Sequence, residues 1–420
     1  MKRKSIKKRL LCLALGLQLL LLSGCSFYGY YITPDGTIII PMAGEGVTDG
    51  AGEALAEEAA AEEEPEEVPE EEPEEAPEAE TEEVAEEEAA DEEPPEMPDL
   101  PALKVSNEVK VLEKGLSITE FRGDYGFDSF IAQGGAASDK DLVRFLAKTL
   151  MPGIGEFLLK MNGFGCSTIS AADKSGSYRF GRNFDWKECE QLILLSYPKT
   201  GYRSISTVNM DFINEAVGNF SLSEQVKKMA ALYIPLDGMN EKGLCVAVNM
   251  IEDDTVIDQN TKKPDITTTT AIRLLLDKAA DTDEAVKLLK SYDMHASFGY
   301  IFHLAIADAK GKAVAVEYVN NEMVVTETPI LTNFYVTPGK KYGIGSKQSH
   351  VRFDTLSEQL SKSETMNGTQ MKEALESVSK HNYPGTGSTE WSVIYDQKKG
   401  KASYYHRENF EKVYTVGFEK

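Results

Sequence analysis

The chain has little of what many enzyme classes need. Its 420 residues hold only five histidines and five cysteines. The histidines are scattered and no two cysteines form a CxxC pair, so no metal-ligand spacing arises and no metal or organic cofactor is expected. Basic charge is missing from one whole stretch: residues 51–100 carry 25 acidic residues and no Lys or Arg. The full chain has 44 basic and 69 acidic residues, so the other 370 residues balance at 44 of each sign. The net charge of −25 therefore belongs to one segment. No basic patch stands out, which excludes a nucleic-acid footprint. The apolar stretch Leu10 to Leu22 is shorter than the ~20 residues a membrane span needs.

What is present begins with an export signal. Lys2, Arg3, Lys4, Lys7, Lys8 and Arg9 form a basic start, Leu10 to Leu22 an apolar core, and Leu22-Ser23-Gly24-Cys25 closes it. That ending resembles the lipobox of bacterial lipoproteins, cut before a cysteine that carries a diacylglycerol. Residues 1–25 are thus expected to be a lipoprotein signal peptide, with Cys25 anchoring the protein to the extracytoplasmic face of a bacterial cell membrane. Residues 26–99 are expected to be a disordered stalk. Most of it is Glu, Ala and Pro, which cannot bury enough apolar area to offset the entropy of ordering.

The folded part is expected from about Leu100. Val105 to Phe121 reads as strands, and Ser138-Asp139-Lys140-Asp141 as a helix N-cap with an acidic residue three on, opening a helix to about Lys160. Asn162 to Trp186 reads as a hairpin, with a turn at Lys174 to Ser177. Asp237 to Gly243 reads as a turn before the strand Leu244 to Met250. Further strands and blocks of helices follow, ending in a hairpin at Trp391 to His406. Blocks of strands and of helices point to an α+β fold rather than alternating βαβ units.

Chemistry concentrates on the hairpin. It carries Cys166 on its first strand and Arg182 and Asp185 on its second. No histidine lies near Cys166 in sequence to act as its base. A local solution exists. If the Gly165–Cys166 bond is cut, Cys166 gains an α-amine with an unperturbed pKa near 8, suited to general-base work at neutral pH. Asp185 would hold that amine and Arg182 would favour the thiolate. Cys189 and Cys245 have the option of an extracytoplasmic disulfide.

Several further stretches share an order with the hairpin. Cys166, the box Gly181-Arg182-Asn183-Phe184-Asp185-Trp186, the run Asp237 to Leu244 leading to Asn249, Thr332-Asn333, Val351-Arg352-Phe353 and Glu390 to Asp396 together resemble the choloylglycine hydrolase family. The resemblance spans roughly residues 160–420. It implies a four-layer αββα N-terminal-nucleophile sandwich that cleaves linear, non-peptide C–N amide bonds. It also implies roles: Cys166 as nucleophile, Arg182 and Asp185 as its hairpin partners, Asn249 as an oxyanion donor, Asn333 as a second active-site asparagine, and Arg352 as an organiser. The stretch 100–165 before the cysteine resembles the acid ceramidase-like branch, in which an internal cysteine cuts its own chain. The expected parts are then an upstream subunit, 100–165, kept after cleavage, and an amide hydrolase domain, 166–420. The expected ligand is a small N-acyl amide of the bile salt, penicillin V or N-acyl amine class. The alternative is an uncleaved surface protein that binds an acyl ligand or partner without turnover.

Overall fold

The computed structural model describes residues 31–32, 38–39, 93–149, 164–217, 222–363, 365–381 and 387–419. The chain divides into two units, Met1–Glu87 and Glu88–Lys420. Within the first, the described residues form one short antiparallel pair, Tyr31–Ile32 with Ile38–Ile39. The signal segment, Cys25 and nearly all of the acidic stretch lie outside the described residues. No described helix is long and apolar enough to cross a membrane.

The second unit starts with a hairpin, β1 (Lys110–Glu113) and β2 (Leu116–Gly123), and two helices, α1 (Phe127–Ala132) and α2 (Asp139–Thr149). Ser138 begins α2 as its sequence foretold: its Oγ accepts the Asp141 N–H at 3.2 Å and donates to the Asp141 carboxylate at 2.7 Å. Then come β3 (Gly165–Ala172), β4 (Tyr178–Trp186), β5 (Gln191–Pro198), β6 (Ser204–Asn209), α3 (Asp211–Val217), α4 (Glu224–Ala231), β7 (Asp237–Asn240) and β8 (Cys245–Ile251). The middle holds β9 (Asp265–Thr267), α5 (Thr268–Lys278), α6 (Thr282–Leu289), β10 (Asp293–His295), β11 (Ile301–Ala307), β12 (Ala313–Val319), β13 (Glu322–Glu327) and β14 (Ile330–Leu331). The chain closes with α7 (Lys347–Lys362), α8 (Gly368–Ser377), β15 (Ser388–Asp396), β16 (Lys401–His406) and β17 (Val413–Gly417).

Two sheets stack. One has nine strands in the order β13-β12-β11-β8-β7-β6-β5-β2-β1, the other six in the order β14-β3-β4-β15-β16-β17. Side chains of both inner faces share one core: Cys166, Phe184 and Trp391 from the six-stranded sheet, Ile205, Met239 and Cys245 from the other. The outer face of the six-stranded sheet buries Ile169, Ala171 and Ile394 against Leu356 of α7 and Leu375 of α8. Helix α5 covers the other outer face, where the Asn240 amide donates to the carbonyls of Leu276 and Ala279. This is the expected αββα sandwich, a mixed α+β fold. Strands buried on both faces explain the near-continuous apolar and small-residue runs in β3, β5 and β8.

Three expectations need correction. Asp237–Asn240 is a strand of the large sheet, not part of a turn. The turn starts at Asn240, whose side chain accepts the N–H groups of Lys242 and Leu244, and closes at Gly243, where φ is +81°. The expectation of a disordered stalk to residue 99 does not hold for its last residues. From Glu93 to Leu100 the chain has no regular structure, yet it is docked on the folded unit. Asn367 and Thr369 donate to the carbonyls of Pro94 and Pro95, Gly368 N–H reaches Glu96 at 3.0 Å, and Lys401 pairs with Asp99 at 2.6 Å. Finally, Cys189 and Cys245 are free, buried thiols and form no disulfide.

The segment before Cys166 is built into the sandwich. Strand β2 lies parallel to β5 over eight residue pairs, Leu116–Gln191 to Gly123–Pro198. All other neighbours in the two large sheets are antiparallel.

Candidate active site

Strand β3 pairs with β4 so that Cys166 faces Phe184 and Thr168 faces Arg182. Side chains alternate across a strand, so Cys166, Phe184 and Arg182 share the face between the sheets. Asp185, opposite Gly165, lies on the other face. The sequence put thiol, guanidinium and carboxylate on one hairpin. The register splits them.

Arg182 is fully buried and touches everything around the sulfur. Its Nη2 donates to Cys166 Sγ at 3.3 Å, and its Nη1 to Val248 O at 2.8 Å and Asn249 Oδ1 at 3.2 Å. Its Nε pairs with Asp237 Oδ2 at 2.8 Å, and neither side chain is exposed. Asp237 also accepts from Trp391 Nε1 at 3.0 Å and Tyr395 OH at 2.7 Å. A buried guanidinium needs such a partner to keep its charge. Asp237 went unassigned because an Asp-Gly pair before a Gly reads as turn chemistry.

The backbone of Cys166 is held as firmly as its thiol. Its N–H donates to Asn333 Oδ1 at 2.7 Å, and its carbonyl accepts from Arg352 Nη1. Arg352 also donates to Ser167 Oγ at 2.6 Å and to Asn333 Oδ1 at 2.8 Å. Asn333 is fixed in turn, its Nδ2 on Met250 O at 2.7 Å and its own N–H on Ser349 Oγ at 2.6 Å. Asn249 lies in the same cluster, but its Nδ2 donates to the carbonyls of Leu331 at 3.1 Å and Thr332 at 3.0 Å. Neither amide hydrogen is free. His303, opposite Asn249 in register, also reaches the Thr332 carbonyl, at 2.9 Å, while bonded to Glu317 at 2.9 Å. His295 sits apart, between Asp258 and Asp265.

Burial pushes the Cys166 thiol up to about 12, with Arg182 pulling the other way. The expectation that Arg182 would favour the thiolate is thus outweighed by burial. Sγ instead donates to Val248 O at 3.6 Å.

Gly165 sits against Asp185 and Lys380. A Cβ there would lie 2.8 Å from Lys380 Nζ and 2.9 Å from Asp185 Oδ2. Asp185 Oδ1 accepts from Thr389 at 2.7 Å, whereas Oδ2 is buried without a hydrogen bond and has Lys380 at 3.7 Å and Arg352 at 3.9 Å. A cavity of about 390 Å³ opens here, lined by Phe164, Gly165, Asp185, Met250, Arg352 and Lys380 among others. Among the described residues no His, Cys, Asp or Glu cluster has the form of a metal site.

The profile of the family described as acyl-coenzyme A:6-aminopenicillanic acid acyl-transferase matches residues 172–410, more than half of the chain. The chain belongs to this family. It is the choloylglycine hydrolase-like group to which the ordered motifs pointed. The matched span takes in Arg182, Asp185, Asn249, Asn333 and Arg352 and begins six residues after Cys166. Among solved structures, a mutant of conjugated bile acid hydrolase from Clostridium perfringens aligns at 16% identity, over 60% of this chain and 92% of that one, with a TM-score of 0.47. A variant of the same hydrolase aligns at 15% identity over the same shares, with a TM-score of 0.45. Penicillin V acylase from Agrobacterium tumefaciens aligns at 18% identity, over 57% of this chain and 83% of that one, with a TM-score of 0.41. No curated protein sequence matches significantly.

The six predicted residues fall into one cluster, with Arg182, Asn249, Asn333 and Arg352 bonded in a network around Cys166 and Asp185 set on the Gly165 side. Sequence reading passed over Asp237, Ser349 and Lys380. Ser and Lys in helical or turn segments give no signal of their own. Asp237 lay inside a quoted motif but gave no hint that its partner was Arg182.

Proposed function

We propose that the protein is a hydrolase of linear N-acyl amides whose nucleophile, Cys166, is released by self-cleavage of the Gly165–Cys166 bond. The observation that carries this reading is the double grip on Cys166, Arg182 on Sγ and Asn333 on the backbone nitrogen, directly after Gly165 at the wall of a cavity. Any buried N–H needs a partner, but here the partner is a side-chain amide that is itself held by Arg352, which also grips the Cys166 carbonyl, as suits a nitrogen that is to become a catalytic amine.

In the self-cleavage step, Sγ attacks the Gly165 carbonyl carbon and the C–N bond to Cys166 breaks as the nitrogen takes the thiol proton. Water then hydrolyses the thioester, leaving a Gly165 carboxylate and a Cys166 with free thiol and free amine. Gly165 lets Asp185 and Lys380 approach the scissile bond because it has no side chain. In turnover the same sulfur attacks the acyl carbonyl of a substrate, the α-amine passes a proton to the leaving amine, and water releases the acid. Asn249 serves the oxyanion by exchanging one of its two carbonyl partners for substrate, a contact worth about 3–4 kcal/mol of barrier. Asn333 keeps the amine in place, and Arg352 fixes Asn333 and the Cys166 carbonyl. The protein needs no metal or organic cofactor for these steps.

The upstream piece stays bound after cleavage in this account. Its strand β2, its docked residues Glu93 to Leu100, and Asp139, whose carboxylate accepts the Phe298 N–H at 2.5 Å, all pack against the downstream part. That piece then ties the enzyme to the signal-derived lipid at Cys25, on the outer face of the cell membrane. Export and lipidation are tested by labelling cells with a fatty-acid analogue, with Cys25→Ala as the control.

The deciding experiment for the activity measures free amine released from a panel of N-acyl amides. Wild-type protein should release amine from at least one class, and Cys166→Ala should neither cleave itself nor hydrolyse. Hydrolysis retained by Cys166→Ala would move the chemistry elsewhere.

A further inference from the structure

Both hydrogens of the Asn249 side-chain amide are engaged, one on Leu331 O at 3.1 Å and one on Thr332 O at 3.0 Å. To meet a developing oxyanion, Asn249 must leave one of these carbonyls. Leu331 and Thr332 are both buried, and a buried acceptor left without a donor is costly. Such a cost would fall on the transition state alone and slow the reaction.

Each carbonyl has a second donor. Leu331 O also accepts from Thr168 Oγ1 at 3.2 Å. Thr332 O also accepts from His303 Nε2 at 2.9 Å. A carbonyl only accepts, and this assigns a proton to Nε2. The two donors differ in how they are held. A hydroxyl rotates freely about its C–O bond. The His303 ring is fully buried and fixed by Glu317, which meets Nδ1 at 2.9 Å. Glu317 is fixed in turn, its Oε1 on Val336 N–H at 2.9 Å and its Oε2 on Thr337 N–H at 2.7 Å. Asn249, His303 and Glu317 thus form a buried polar row across the neighbouring strands β8, β11 and β12. The better-held donor is on Thr332, so Thr332 is the carbonyl that Asn249 can leave.

We infer that His303 is a positioning residue for turnover: it keeps Thr332 O bonded while Asn249 turns that hydrogen to the oxyanion. The exchange then leaves no buried carbonyl without a donor. This deepens the proposed hydrolase reading and rests on it.

The test uses full-length chains and an amide that the wild type hydrolyses. Rates are taken per chain that intact mass shows cut at Gly165. His303→Leu should lower kcat by about 10- to 100-fold and leave KM within about threefold, because the bound ground state keeps Asn249 in place. His303→Gln, whose amide nitrogen can take the place of Nε2, should recover most of that loss. In an Asn249→Ala chain, adding His303→Leu should change kcat by less than about threefold, since no hydrogen is left to move. Thr168→Val should lower kcat by less than about threefold, because Leu331 keeps Asn249 as donor. His303→Leu paired with Glu317→Gln leaves no unpaired buried charge and carries the test if His303→Leu does not fold.

A loss in KM instead of kcat, no recovery with His303→Gln, or the same loss without Asn249 overturns the inference and leaves His303 a plain structural part. A fall of about tenfold or more in Thr168→Val overturns it too, because Leu331 would then be the carbonyl released. So does a His303→Leu chain that folds but stays uncut where Asn249→Ala cuts itself. A wild type that releases no amine sinks the hydrolase reading and this inference with it. A wild type that does, with any of the outcomes above, sinks the inference alone.

Discussion

Removing the Asp237 carboxylate should cost the fold more than any other single change near the site. Arg182 and Asp237 form an ion pair at 2.8 Å with neither side chain exposed. Without Asp237, the guanidinium keeps only neutral acceptors and the sulfur: Val248 O, Asn249 Oδ1 and Cys166 Sγ. Breaking a buried pair by removing one partner costs about 3–5 kcal/mol. Trp391 Nε1 and Tyr395 OH lose their carboxylate acceptor as well, at about 1–3 kcal/mol for each buried donor left unsatisfied. These terms share partners and do not simply add. Asp237→Ala should therefore cost at least about 4 kcal/mol. Asp237→Asn, which keeps an acceptor, should cost somewhat less. Arg182→Met with Asp237→Leu removes both charges and should cost less than the two single changes together. The assay is urea unfolding of the uncut Cys166→Ala chain, followed by the fluorescence of Trp391 on its Phe184 stack. A cost below about 1 kcal/mol for Asp237→Ala, or strict additivity in the double variant, would refute the view that this pair anchors Arg182.

Other outcomes follow from the same contacts. The Cys166 thiol, held up to about 12 by burial, is neutral at working pH, and the attacking thiolate fraction grows as pH rises. Self-cleavage of freshly folded protein should speed up about tenfold per pH unit between pH 7 and 9, read from gel time courses; a flat profile contradicts attack by the thiolate. Gly165→Ala puts a Cβ within 3 Å of both Lys380 Nζ and Asp185 Oδ2, so cleavage should slow sharply while the downstream fold survives, judged by circular dichroism. Asn333→Ala frees the Cys166 nitrogen and one Arg352 contact, and should lower the cleavage rate by about 100-fold, as for a misplaced reacting group. Burial raises Glu390 to about 7, above its unfolded value, so its contribution to stability is present below about pH 4.5 and lost as pH rises through 7. Glu390→Gln should flatten that loss, seen as a smaller drop in urea midpoint between pH 5 and pH 8.

The hairpin, the α+β class and the cluster of six residues were legible in the sequence because each rests on local pattern or on ordered motifs. What depends on register was not. Three residues apart in a strand means opposite faces, so Arg182 and Asp185 share a hairpin without sharing a face. Asp237 looked like turn chemistry, and only pairing with β6 and β8 shows it as a buried strand residue. The parallel union of β2 with β5 joins segments some seventy residues apart and leaves no trace in either. The helices α1 and α3 are too short for a periodic signal. The apolar context that raises the Cys166 thiol comes from a facing sheet, and no reading of its neighbours in sequence would find it.

Intact-mass measurement on an active, purified preparation tests the central claim most directly. The account predicts two polypeptides, one ending at Gly165 and one running from Cys166 to Lys420, that travel together under native conditions. A single full-length species that still hydrolyses amides would contradict it.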